Sequence, residues 1–114
     1  VFIMGSSMGA NLALVGCADA PRCSGTVALS PGLNYFGVHT DSAVISGERI
    51  LLVYGSLDMR PRRDIPRMWA LAEEAGVENR LSEIVYEGRS HGMALFNEDD
   101  TLLTQIVAWM RGRQ

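Results

Sequence analysis

Val1-Phe2-Ile3-Met4-Gly5-Ser6-Ser7-Met8-Gly9-Ala10-Asn11-Leu12-Ala13-Leu14-Val15-Gly16-Cys17-Ala18 is the stretch that decides the fold. It opens on a short apolar, β-rich run, Val1–Met4, which Gly5 punctuates. Residues 8–18 suit a helix whose small residues, Gly9, Ala10, Ala13 and Gly16, let it lie close to a sheet. Asp19, Ala20 and Pro21 end it. Between strand and helix stands Gly5-Ser6-Ser7-Met8-Gly9, a G-x-S-x-G pattern. A nucleophilic serine has to project above a sheet from a sharp, strained turn, and glycines two residues either side remove side chains that would collide. At a helix N-terminus, free N–H groups and the helix dipole favour a developing negative charge. On that reading Ser7 is the nucleophile and the Met8 N–H is one oxyanion donor. The alternative is a tight strand–helix turn with Ser7 as a capping serine. Ser6 lacks the flanking pattern.

Outward from this stretch, strand and helix signals alternate. Gly25–Ser30 is a second strand of buried character, followed by a loop-like stretch from Pro31 to Gly47 with room for one helical turn. Ile50–Tyr54 is a third, continuously apolar strand, as expected where helices cover both faces of a parallel sheet. Asp64 caps the next helix, whose apolar positions are Ile65, Met68, Trp69, Ala72 and Ala75, and Gly76 stops it. Arg80–Glu87 holds a fourth strand. Asp99 or Asp100 caps a last helix with Leu102, Leu103, Ile106, Val107 and Met110 on one stripe. This order predicts an α/β fold, an open parallel sheet of about four strands with flanking helices and right-handed crossovers. The 114 residues make one domain, 1–114, with no internal repeat, low-complexity tract or linker.

In open α/β sheets, sites gather at the carboxyl ends of the strands. After the third strand comes Gly55-Ser56-Leu57-Asp58, where an acid can orient a histidine and stabilise it when charged. Taken alone, Asp58 also suits a helix or turn cap. Asp64 is the rival acid and is better explained as an N-cap. After the fourth strand comes Gly88-Arg89-Ser90-His91-Gly92, a glycine-flanked loop able to bring His91 over Ser7 as general base. His39, in the middle loop, reads as a surface or substrate-loop residue. The three turns come in the order Ser…Asp…His, each at a strand's carboxyl end, and that conjunction supports a triad more than any one of them.

Composition excludes several classes. Hydrophobic residues make up 47%, charged residues 20%, and the net charge is −3, too mild to argue for nucleic acid or an anionic membrane surface. No apolar run is long enough for a membrane span, and no leader pattern is visible, so the expected location is cytoplasmic. Cys17 and Cys23 form no CxxC pair and read as two reduced, partly buried thiols, with a disulfide or metal role as alternatives. No metal, nucleotide, flavin or other cofactor is implied. The chain starts at Val1 inside an apolar run, which reads as the end of a strand that begins earlier.

On these motifs the chain resembles the α/β-hydrolase superfamily, over the half running from the nucleophile strand to the final helix. Leu29-Ser30-Pro31-Gly32-Leu33-Asn34-Tyr35 is similar to the segment after the sixth strand in bacterial hydrolases akin to the dienelactone hydrolases. The resemblance implies Ser7 as nucleophile, Asp58 as acid and His91 as base. Dienelactone hydrolases proper carry a cysteine nucleophile, so Ser7 favours an esterase-like relative. The family's first four strands have no counterpart, and with them goes the loop giving the second oxyanion N–H. Losing one such donor costs roughly 10²–10³ in turnover. The stretch from Pro31 to Gly47 is too short for a large lid.

Two functions arise from different premises. One is hydrolysis of a carboxylic ester or related acyl bond, a small-molecule substrate, through an acyl-Ser7 intermediate. The other is a non-catalytic, self-associating module of a hydrolase, or half of a split enzyme completed by a second chain. Either way the first strand, internal in the family, becomes a bare edge here, and a homo-oligomer covering it is expected.

Overall fold

The structure, a computed structural model, describes residues 1–112. Four strands, β1 (Phe2–Ser6), β2 (Gly25–Leu29), β5 (Arg49–Gly55) and β6 (Leu81–Tyr86), form a parallel sheet in the order β1-β2-β5-β6. Between β2 and β5 lie a small antiparallel hairpin, β3 (Asn34–Tyr35) with β4 (Val38–His39), and a short helix, α2 (Asp41–Ile45). The longer helices are α1 (Met8–Ala18), α3 (Met59–Ala75) and α4 (Leu102–Met110), and a 3-10 turn over Gly92–Asn97 follows β6. This is the expected α/β architecture.

The period of two along each strand sorts the core onto two faces. Ala28, Ile50 and Leu52 pack on one side with Ala10 and Leu14 of α1, Val44 of α2, and Ile65, Met68 and Ala72 of α3. Val27, Leu29, Leu51 and Val53 pack on the other with Leu95, Leu102, Ile106 and Trp109. The central strands therefore bury both faces, and β2 is buried throughout. The edges differ. β6 alternates half-buried with exposed residues, and β1 pairs only with β2, leaving Met4 48% exposed.

Several boundaries depart from expectation. α3 starts at Met59, six residues before Ile65, with Asp58 in the cap position. Asp64 is thus inside the helix and buried, not its cap. Pro61 sits in the first turn, where its missing N–H costs nothing, and the helix runs on through Pro66. Of the expected apolar positions, Trp69 is half-buried and Ala75 is exposed. Thr101, not an aspartate, precedes α4, and Asp99 organises the turn by accepting the Thr101 N–H at 2.8 Å. The buried stripe of α4 is Leu102, Ile106 and Trp109, while Leu103 points outward at 59% exposed.

The cysteines are paired, against expectation. Cys17 and Cys23 are joined in a disulfide and are not free thiols. α1 ends at Ala18 and the chain doubles back before β2, which brings the two Cα atoms to 5.2 Å, a bridging distance.

Candidate active site

Ser7 stands at the junction of β1 and α1 with φ 57° and ψ −124°, a positive-φ conformation rare for a residue with a side chain. The turn is possible because Gly5 has no side chain: a Cβ there would lie 2.1 Å from the Gly9 carbonyl oxygen. Gly9 plays a different part from the one expected. A Cβ on Gly9 would meet nothing within 4 Å, so of the two glycines only Gly5 relieves a collision. The Ser7 N–H donates to the Leu29 carbonyl at 2.8 Å, fixing the elbow to the end of β2. Met8 opens α1, and first-turn amides have no carbonyl partner within the helix.

His91 reaches both partners from the loop after β6. Its Nε2 is 2.9 Å from the Ser7 Oγ and its Nδ1 is 2.6 Å from the Asp58 Oδ2. The sequence separations are 84 and 33 residues, so the sheet order, not local chain, brings them together. The Asp58 side chain makes no cap bond to α3 and is turned to the imidazole instead. The acid and histidine turns are laced together: Ser56 N–H donates to Tyr86 O at 2.8 Å, and Leu57 N–H to Gly88 O at 2.7 Å. Gly55 permits this approach, since a Cβ there would come within 2.8 Å of the Gly88 and Ser90 carbonyls. The Ser90 hydroxyl donates to Glu98, holding the loop from its outer side.

The middle loop supplies a wall that the sequence pattern did not mark. Asn11, fully buried on α1, accepts the Gly32 N–H at 3.0 Å and donates to the Val38 carbonyl at 2.9 Å. Asp64 accepts the Leu33 N–H at 2.9 Å and pairs with Arg63 at 2.7 Å. Burial works to raise the Asp64 carboxyl, but the Arg63 guanidinium and the Leu33 N–H outweigh it and hold the group below its usual value. Thr40 closes the loop on Gly32 through its hydroxyl, at 2.9 Å. These bonds seat Tyr35 beside the Ser7 hydroxyl, with the Arg60 guanidinium 3.9 Å over its ring. Burial pushes the Tyr35 hydroxyl above its usual value, against the pull of the Ser7 hydroxyl and the Arg60 charge.

An open cavity of about 650 Å³ lies against this cluster, lined by Tyr35, Asp58, His91 and, from α3, Met59, Arg60, Arg62 and Arg63. His39 is exposed on β4 and borders a separate hollow with Val15 and Asp19. Asn11 carried one signal in the sequence, as the lone polar side chain in an apolar helix. Tyr35 and Asp64 carried none that separates them from ordinary loop and helix residues.

No family model matches the chain, and no curated protein matches it in sequence. Two solved structures share its fold. An esterase of Pyrococcus furiosus, PF2001, superposes with a TM-score of 0.77 at 14% identity, over 98% of this chain and 52% of its own. TT1662 from Thermus thermophilus does so with a TM-score of 0.64 at 21% identity, over 96% of this chain and 54% of its own. The chain therefore has an α/β-hydrolase-like fold and spans about half the length of the structures it resembles. Among the described residues, no helix is long and apolar enough to cross a membrane.

Proposed function

We propose that the chain carries the nucleophile, base and acid of a serine hydrolase of carboxylic esters or related acyl bonds. The observation that carries this is His91 spanning Ser7 and Asp58 at 2.9 and 2.6 Å. His91 Nε2 accepts the Ser7 proton as the Oγ attacks the acyl carbonyl, and Asp58 holds the Nδ1–H and stabilises the imidazolium. The Met8 N–H faces the oxyanion of the tetrahedral intermediate. Its collapse breaks the ester C–O bond, and His91 returns the proton to the departing alcohol. Water, deprotonated by His91, then attacks acyl-Ser7 and releases the acid. A chromogenic short-chain ester tests the reading. Turnover that vanishes in Ser7→Ala supports it, and turnover surviving that substitution overturns it.

One observation favours a second reading. β1 is an edge strand, paired on one side only, in a chain that spans 52% and 54% of its structural neighbours. On that reading the chain is a self-associating, non-catalytic module, or is completed by a partner chain that pairs with β1 and supplies the second oxyanion donor. Activity that appears only on adding such a chain identifies the split enzyme. Activity of the chain alone excludes both forms. A cytoplasmic location remains part of the proposal, although the Cys17–Cys23 bond argues for an oxidising compartment. Thiol alkylation of protein from its native cell distinguishes them.

A further inference from the structure

We infer that Ser30 is a positioning residue for His91, a role that rests on the hydrolase reading above. Ser30 follows β2, is fully buried, and has φ 56°, a conformation in which glycine is at ease and a side chain is not. A serine kept at such a point is explained by what its side chain holds. Its Oγ accepts the Gly92 N–H at 2.8 Å, across 62 residues of sequence. Gly92 directly follows His91 and itself has φ 62°, so this bond fixes the direction in which the chain leaves the histidine. The rest of Ser30 is equally committed. Its N–H donates to the Val53 carbonyl at 2.8 Å, and its own carbonyl accepts the Tyr35 hydroxyl at 3.0 Å. The preceding residue, Leu29, accepts the Ser7 N–H at 2.8 Å. Two consecutive residues at the end of β2 thus hold the nucleophile's amide and the amide beside the base. The distance from Ser7 Oγ to His91 Nε2 is set from one rigid point, next to the most buried strand of the sheet.

Ser30→Gly separates this role from a merely structural one, because it relieves the backbone while removing the hydroxyl. Ser30→Ala removes the hydroxyl and keeps the strain. Three readouts are taken on each full-length variant: thermal unfolding, the rate at which a fluorophosphonate labels Ser7, and the proton resonance of the His91 Nδ1–H on Asp58. The expected result is a folded Ser30→Gly protein at or above the unvaried melting temperature. Its labelling is at least tenfold slower, and its His91 resonance is shifted or broadened. Unvaried labelling and an unmoved resonance in Ser30→Gly overturn the proposal, whether or not Ser30→Ala folds. If the unvaried chain does not label, the hydrolase reading fails by itself. The resonance then decides Ser30: a shift supports the tether and an unmoved line refutes it.

Discussion

Ser7 at φ 57° and ψ −124° holds a backbone conformation that costs a residue with a Cβ about 1–3 kcal/mol. The cost is sustained by the Leu29 carbonyl, which fixes the Ser7 amide, and by Gly5, which opens the space beneath. Ser7→Gly should therefore be more stable than Ser7→Ala by about 1 kcal/mol, after allowing for glycine's greater unfolded-state freedom. Both lack the hydroxyl, so chemical denaturation of the pair isolates the strain; equal midpoints would show that none is stored. Asp64 makes a different kind of contribution. Its carboxyl is held below the ordinary value of 3.8 in the folded chain. Its stabilisation is complete above that ordinary value and is lost as pH falls through the lower folded-state value. Asp64→Asn should cost about 1–2 kcal/mol near neutral pH, and the gap in urea midpoints should narrow as the solution is acidified below that ordinary value. At this scale Ser7, Asp58 and His91 were legible because each stands in a short glycine-marked turn after a strand. Asn11 showed only as a polar residue in an apolar helix, and the parts played by Ser30, Tyr35 and Asp64 were not legible, because the importance of all four lies in single hydrogen bonds across 5 to 62 residues of sequence.

Among the elements, the strands and α1 are readable directly from apolar runs and the small-residue helix, whereas α3 and the middle loop are not. Asp64 two residues before Pro66 imitates a capped helix start. The actual start at Met59 depends on tertiary facts: Pro61 fits the first turn, and Ile65, Met68 and Ala72 are buried against the sheet. The stretch between β2 and β5 looks irregular because β3 and β4 have two residues each, too few for a period to show. Buried Asn11, Thr40 and Asp64 order it instead. The Cys17–Cys23 bond belongs to this scale as well, since it ties the end of α1 to the turn that leads into β2 across a separation of six residues. Closing so short a loop removes unfolded-state entropy worth about 2 kcal/mol. Reduction, or Cys17→Ala with Cys23→Ala, should lower the unfolding free energy by that amount without moving Ser7. A reduced protein with an unchanged melting temperature would contradict this.

The whole molecule is a four-stranded parallel sheet between two helical layers, and the order β1-β2-β5-β6 is what brings Ser7, Asp58 and His91, each beyond a strand's carboxyl end, within hydrogen-bonding reach. The same order leaves β1 with one neighbour, Val1 77% exposed and Met4 48% exposed. An apolar edge of this kind invites pairing. The chain should sediment as a dimer or larger species at micromolar concentration, and Met4→Lys should shift it towards monomer; a monodisperse unvaried monomer would contradict that. The strand order was legible only through the resemblance to a known fold, since apolar runs identify buried strands without saying which lie side by side. Above all, Ser7, His91 and Asp58 should act as one unit, and fluorophosphonate labelling of the whole chain, mapped by peptide mass, puts that to the proof. The expected result is a single adduct on Ser7, absent in Ser7→Ala and formed roughly 10³–10⁴-fold more slowly in His91→Ala and Asp58→Asn. No adduct at high protein concentration, or an adduct that forms as fast without His91, would contradict it.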